Sequence, residues 1–174
     1  MNYVTIKHND IANGLGVRTS LFVSGCTHHC KGCFNEVAQD FNAGQPFNED
    51  TINEILESLK PSHIQGLTLL GGEPMEPQNQ IELYPLLRKV RETYPSKNIW
   101  IYSGYSYEEL INDNSRCHTN ITNELLSYAD VLVDGEFIQE QYDITLKFRG
   151  SRNQRIIDLK ASLPTNNIVL YELN

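Results

Sequence analysis

Three of the four cysteines stand within eight residues, at Cys26, Cys30 and Cys33. A closed zinc site needs a fourth ligand, and disulfides need cysteines in pairs. A [4Fe–4S] cluster held by three thiolates instead keeps one iron without a protein ligand, where a substrate or cofactor can bind. The spacing therefore predicts an iron–sulfur centre with one open position. A zinc site and an incidental group of thiols are the alternatives.

The remaining residues that could ligate a metal near this motif are two histidines. His28 and His29 lie between the first two cysteines, in a loop that must wrap around the centre. We expect them to support the loop or to face solvent rather than to be ligands. Cys117 stands far along the chain in a polar stretch, and we expect an ordinary free thiol outside the site.

The elements that must position these cysteines alternate between strand and helix. Apolar and β-branched runs predict strands, and apolar residues at helical spacing predict helices. The predicted strands are 19–23, 66–70, 98–103 and 130–135. Residues 155–159 and 168–173 are β-rich, and edge hairpins are an alternative for them. The predicted helices are 48–59, capped by Asn48 or Asp50, then 83–94, 107–111 and 121–128.

This order predicts a mostly parallel sheet with right-handed crossovers. A complete eight-fold barrel usually takes about 200 residues or more. We therefore expect one α/β domain over residues 1–174, a partial, open barrel of about five or six strand–helix units. Small or polar residues follow the four predicted strands, and the carboxyl ends of parallel strands meet at one edge. One cavity should receive them all.

Composition excludes several classes of protein. The 14 basic and 22 acidic residues give a net charge of −8, with no basic tract. Such a surface disfavours nucleic acid as a partner. The N-terminus has no secretory pattern, and no apolar run approaches the about 18 residues of a membrane span. We expect a cytoplasmic protein, where clustered cysteines more often bind metal than pair.

The cysteine spacing, Phe34 directly after it and the segment LLGGEP at 69–74 together resemble the signature of the radical S-adenosylmethionine enzymes. The resemblance implies a [4Fe–4S] cluster whose open iron binds S-adenosylmethionine. Two residues without Cβ, Gly71 and Gly72, would let backbone polar groups approach that cofactor. The implied cluster ligands are Cys26, Cys30 and Cys33, and the implied cofactor-binding residues are Gly32, Cys33, Phe34, Gly71, Gly72, Ser103 and Asp134.

Five longer segments narrow the resemblance, at 10–26, 71–79, 99–105, 131–137 and 148–158. They are similar to the family that activates anaerobic ribonucleoside-triphosphate reductase. That family implies a glycyl-radical activase whose substrate is a glycine of the large reductase subunit, with an external one-electron reductant such as a flavodoxin. Whether the chain forms a homodimer is left open. Arg149, Arg152 and Arg155 form the one local basic concentration, and both a solvated loop and a cofactor or partner contact fit them.

Other functions remain as alternatives. The nearest enzymatic ones are an activase of the pyruvate formate-lyase type and a small-molecule enzyme such as a deazaguanine synthase. Those proteins usually have longer chains with more barrel strands. An electron-transfer iron–sulfur protein and a zinc-stabilised binding module represent two further classes.

Overall fold

The computed structural model describes residues 1–173 and has a mixed α/β architecture built on one seven-stranded sheet. The strands are β1 (Asn2–Asp10), β2 (Val17–Val23), β3 (Gln45–Pro46), β4 (Ile64–Gly71), β5 (Asn98–Ser103), β6 (Val131–Asp134) and β7 (Arg155–Asp158). The helices are α1 (Glu49–Leu59), α2 (Pro77–Thr93), α3 (Tyr107–Ile111), α4 (Thr122–Tyr128) and α5 (Leu159–Thr165). Their order across the sheet is β3-β1-β2-β4-β5-β6-β7.

The centre of the sheet is parallel and its flanks are antiparallel. Strands β2, β4, β5 and β6 pair in parallel, and helical crossovers join them as the alternating pattern predicts. Strands β1, β3 and β7 pair antiparallel. Within residues 1–173 the parallel strands therefore number four, fewer than the five or six predicted units. All four carboxyl ends lie at the same edge of the sheet.

The parallel strands are buried on both faces, as such strands usually are. Successive residues of a strand point to opposite faces. Ile99 and Ile101 pack in the main core with the helices. Trp100, between them, packs in a second cluster with Val131 and Val133, which Phe148 and residues near the C-terminus cover.

Local signals placed most of the helices correctly. Asn48 caps α1, because its side chain accepts a hydrogen bond from the Thr51 amide. The Thr51 hydroxyl in turn accepts a hydrogen bond from the Asn48 amide. Helix α2 starts at Pro77 rather than at residue 83, so Pro85 lies in its interior. None of the helices in residues 1–173 has the length and apolar character needed to cross a bilayer.

Four segments differ from the sequence prediction. Strand β1 and the short strand β3 were not expected; β1 pairs antiparallel with β2, the next strand in the chain, and β3 pairs with the start of β1. Residues 168–173 have no strand of their own and form a single bridge, between Leu170 and Ile157. Helix α5 follows β7 directly, with the Asp158 side chain as its cap. Strand β7 itself confirms the β-rich reading of 155–159.

Candidate metal centre at the ends of the parallel strands

A cavity of about 640 Å³ opens at the carboxyl ends of β2, β4, β5 and β6. Eight of the residues selected from the sequence line it, which is the convergence that the strand order predicts. They are Cys26, Cys30, Gly32, Cys33, Phe34, Gly71, Gly72 and Ser103. Asp134 does not line the cavity.

The cysteine loop leaves β2 and is tied down by backbone hydrogen bonds. The Gly25 amide donates to the Ala38 carbonyl at 2.8 Å, and the Cys26 amide donates to the Gln39 carbonyl at 3.1 Å. A turn joins the last two cysteines, since the Cys33 amide donates to the Cys30 carbonyl at 3.1 Å. The loop therefore has a defined path along the cavity wall.

All three loop cysteines are free thiols and partly exposed, whereas Cys117 is a buried free thiol outside the cavity. Within residues 1–173, no three side chains of the metal-ligating types already gather where one ion could be held. A four-iron cluster does not need such a point, because each cysteine binds a different iron. Three accessible thiols spread along the wall of one large cavity fit a cluster of that kind.

The electrostatics of the loop bear on the thiols. Burial raises the pKa of Cys26 to about 12, and the carboxylates of Glu73 and Glu76 add to the effect. Burial also raises the pKa of Cys30, with a contribution from Glu136. These thiols are protonated near neutral pH, so a metal must displace their protons to bind.

Gly72 lies where the cysteine loop crosses the end of β4. A Cβ there would stand 2.5 Å from the Ala38 carbonyl oxygen and 2.6 Å from the Gly25 carbonyl oxygen. Gly71 has φ +113°, which favours glycine, and a Cβ there would meet the backbone of Phe22 and Val23 at 2.7 Å. Gly72 therefore lets the loop backbone approach the end of β4, and Gly71 lets the end of β2 do so, a reason that the sequence did not reveal.

Glu73, directly after the glycines, is buried with 1% of its surface exposed. One carboxylate oxygen accepts hydrogen bonds from the Met75 amide and the Ser103 hydroxyl, both at 2.8 Å. The other accepts from the Gly104 amide at 2.6 Å and faces His28 Nε2 at 3.1 Å. The carboxylate thus joins the ends of β4 and β5 to the cysteine loop.

His28 fills the space between the loop and the strand ends. Its side chain is 4% exposed, and its Nδ1 lies 2.7 Å from an oxygen of Glu136, the second residue after β6. Its ring meets Tyr105 edge-on, with 4.4 Å between ring centroids. Burial lowers the pKa of His28, but the hydrogen bonds to Glu73 and Glu136 outweigh that effect and raise the pKa to about 9.

The neighbouring loop residues have anchors of their own. The amide and hydroxyl of Thr27 both donate to Glu76, at 2.9 Å and 2.5 Å. His29 lies 2.9 Å from the side chain of Gln39 and is exposed. The expectation that both histidines support the loop or face solvent agrees with these positions.

Ser103 and Asp134 have partners within the protein. Ser103 lines the cavity, but its hydroxyl donates to Glu73. Asp134 is 1% exposed and accepts hydrogen bonds from the Tyr107 amide at 2.7 Å and from Arg155 Nε at 3.0 Å. Its contacts connect β6 to α3 and β7 rather than to the cavity.

The three arginines take separate roles. Arg155 pairs with Asp134 and with Glu108 on α3. Arg152 is exposed and pairs with Asp143. Arg149 alone lines the cavity, where its guanidinium donates to the Gln154 carbonyl at 2.6 Å.

Some residues of the cavity wall were not predicted from the sequence. The segment between β6 and β7 contributes apolar side chains, namely Phe137, Tyr142, Leu146 and Phe148. Phe137 and Phe148 fall inside segments that carried the family resemblance, which was the available signal. Tyr142 and Leu146 lie in a stretch without periodicity, and only the fold brings them to the cysteines.

Comparison with known proteins agrees with this geometry. A family model described as a 4Fe-4S single cluster domain matches residues 12–157. The anaerobic ribonucleoside-triphosphate reductase-activating protein of Pasteurella multocida is 45% identical over 158 residues, covering 90% of this chain and 96% of the relative.

Two further relatives of the same name are less similar to this chain. That of Escherichia coli K12 is 38% identical over 92% of this chain and 100% of the relative. That of Enterobacteria phage T4 is 39% identical over 90% of this chain and 93% of the relative. The chain therefore belongs to the family of anaerobic ribonucleoside-triphosphate reductase-activating proteins and has its 4Fe-4S single cluster domain.

Proposed function

We propose that this chain activates an anaerobic ribonucleoside-triphosphate reductase by generating a glycyl radical on the large subunit of that enzyme. Its cofactors in this proposal are a [4Fe–4S] cluster and S-adenosylmethionine. The observation that carries the proposal is that all three thiols of the cysteine motif and both glycines of the GGEP segment line one cavity. The names of relatives that match at least 90% of this chain support the choice of partner.

In this proposal Cys26, Cys30 and Cys33 hold the cluster, leaving one iron for the cofactor. When bound, the cluster and S-adenosylmethionine would supply the radical chemistry that removes a hydrogen atom from the partner glycine, with one electron from the external reductant. This chain must then bring the reacting carbon of the cofactor close to the hydrogen of the partner glycine, and it must exclude water. Phe137 and Phe148 give the cavity apolar walls suited to that purpose.

The residues assigned to S-adenosylmethionine are Gly32, Cys33, Phe34, Gly71, Gly72, Ser103 and Asp134. The cavity position of the first six supports their assignment. Asp134 keeps at most an indirect role, because its carboxylate is engaged by Arg155 and Tyr107. The parallel strands β2, β4, β5 and β6 would form the partial barrel of a radical S-adenosylmethionine enzyme, with the cavity at its mouth.

The proposal also includes a one-electron donor such as a flavodoxin, a cytoplasmic location and a single domain over the whole chain. The free thiols of the loop are suited to a reducing compartment. A homodimer of this chain would be detected by measuring the mass of the protein in solution.

The test is anaerobic reconstitution with iron and sulfide, followed by mixing with the reductase large subunit, S-adenosylmethionine and a one-electron reductant. We expect a glycyl doublet in the electron paramagnetic resonance spectrum, together with 5′-deoxyadenosine. The Cys30→Ala variant should give neither, and the Cys117→Ala variant should give both. Cofactor cleavage without a glycyl signal would contradict the choice of substrate, and a cluster indifferent to the cofactor would favour electron transfer.

A further inference from the structure

Side chains of residues other than the three cysteines connect the cysteine loop to the strand ends. Between Cys26 and Cys30 stand three residues, and each bonds to a different part of the fold. Thr27 and His29 are exposed, whereas the His28 side chain is 4% exposed. His28 is therefore the one residue of these three whose side chain is buried.

Glu73, the buried partner of His28, uses all of its hydrogen-bond acceptor sites. A carboxylate has about four lone-pair sites, two on each oxygen. Glu73 uses two for Met75 and Ser103 and one for Gly104, which leaves one facing His28. The fourth site is taken at 3.1 Å by His28 Nε2. The Glu73 side chain accordingly has no acceptor site left for a bound ligand.

His28 also reaches a third strand. Its Nδ1 lies 2.7 Å from an oxygen of Glu136, which follows β6. The ring is held from the side by Tyr105, and a Cβ at Gly104 would stand 2.6 Å from it. One imidazole thus links the cysteine loop with the ends of β4, β5 and β6.

We infer that His28 is a positioning residue, which together with Glu73 holds the cysteine loop against the strand ends so that its thiols are ordered before the cluster is bound. The inference rests on the proposed function for the identity of the cluster. It assigns the side chain of Glu73 to the loop and leaves contact with a cofactor to the backbone of the GGEP segment. Loss of the imidazole should free the loop without unfolding the sheet.

The test is hydrogen–deuterium exchange of the protein prepared without iron, comparing the wild type with His28→Ala, His28→Gln and His29→Ala. His29 is the matched control, because it is a histidine of the same loop that lies outside the cavity and bonds only to Gln39. In peptides covering residues 24–36 we expect exchange about tenfold or more faster in His28→Ala. His28→Gln, which keeps one donor, should lie between, and His29→Ala should stay within about twofold of the wild type.

A second readout uses the reconstituted protein. Iron release to a ferrous chelator should accelerate in the same order, with His28→Ala fastest. Loop exchange in His28→Ala within twofold of the wild type would overturn the inference, as would an equal effect of His29→Ala. Faster exchange throughout β4 and β5 in both His28 variants would also overturn it, because His28 would then serve general stability. The exchange result is independent of the partner, so a failure to form a glycyl radical leaves it standing.

Discussion

Adding one methyl group at Gly72 should separate the cysteine loop from the sheet. In Gly72→Ala the new Cβ would lie 2.5 Å from the Ala38 oxygen and 2.6 Å from the Gly25 oxygen, both backbone atoms that no rotamer change can move. Ordinary contact is about 3.5 Å, so the loop must retreat by roughly 1 Å. Gly72 itself does not have a positive φ, so the effect is steric rather than conformational.

The magnitude follows from what the retreat disrupts. The Glu73 amide donates to the Gly25 carbonyl and the Gly25 amide donates to the Ala38 carbonyl, both at 2.8 Å. Weakening two such bonds costs about 1 kcal/mol each, and overpacking costs about 1–3 kcal/mol. We expect Gly72→Ala to lower the free energy of unfolding by about 3–5 kcal/mol and to reduce the iron retained after reconstitution by more than half.

The assay combines urea denaturation of the protein without iron and iron and sulfide analysis after desalting. Gly135→Ala is the matched control, because Gly135 lines the same cavity and a Cβ there would meet no atom nearer than 3.5 Å. Its φ of +98° costs strain alone, about 1–2 kcal/mol, and its iron content should be kept. Full iron in Gly72→Ala with unchanged stability would refute the close-approach reasoning.

Three further predictions concern the thiols and the ion pair between Arg155 and Asp134. Alanine at any one of Cys26, Cys30 or Cys33 should abolish the intact cluster, whereas Cys117→Ala should keep its iron; equal loss in all four would refute the assignment. Because burial raises the pKa of Cys26, to about 12, and that of Cys30, the thiolate fraction of these two residues grows about tenfold per pH unit below the pKa. The initial rate of iron uptake should therefore rise between pH 7 and pH 8.5, and a flat profile would show that deprotonation is not limiting. Arg155→Met leaves the buried Asp134 carboxylate without its ion pair and should cost about 2–4 kcal/mol in urea denaturation, whereas Arg152→Met, at an exposed pair, should cost under about 1 kcal/mol.

Much of the fold was determined by local sequence. The spans of β5 and α3 agree with the prediction residue for residue, and Asn48 caps α1 as expected. These elements have strong local signals, namely apolar runs, helical periodicity and capping side chains. The cysteine motif and the GGEP segment are likewise short local patterns, and both line the cavity. Strand β1 and helix α5 were missed because pairing and packing with other elements, not their own periodicity, order them.

The sequence by itself determined which residues could do the chemistry, and the tertiary structure decided what each one contacts. Asp134 comes at the end of an apolar strand, where a cavity residue is expected. Its carboxylate nevertheless accepts a hydrogen bond from Arg155, 21 residues away. His28 is joined to Glu73 across 45 residues and to Glu136 across 108. The physical reason is that a hydrogen-bond partner is chosen by proximity in space, which depends on strand order. Residue types and local spacing do not record that order.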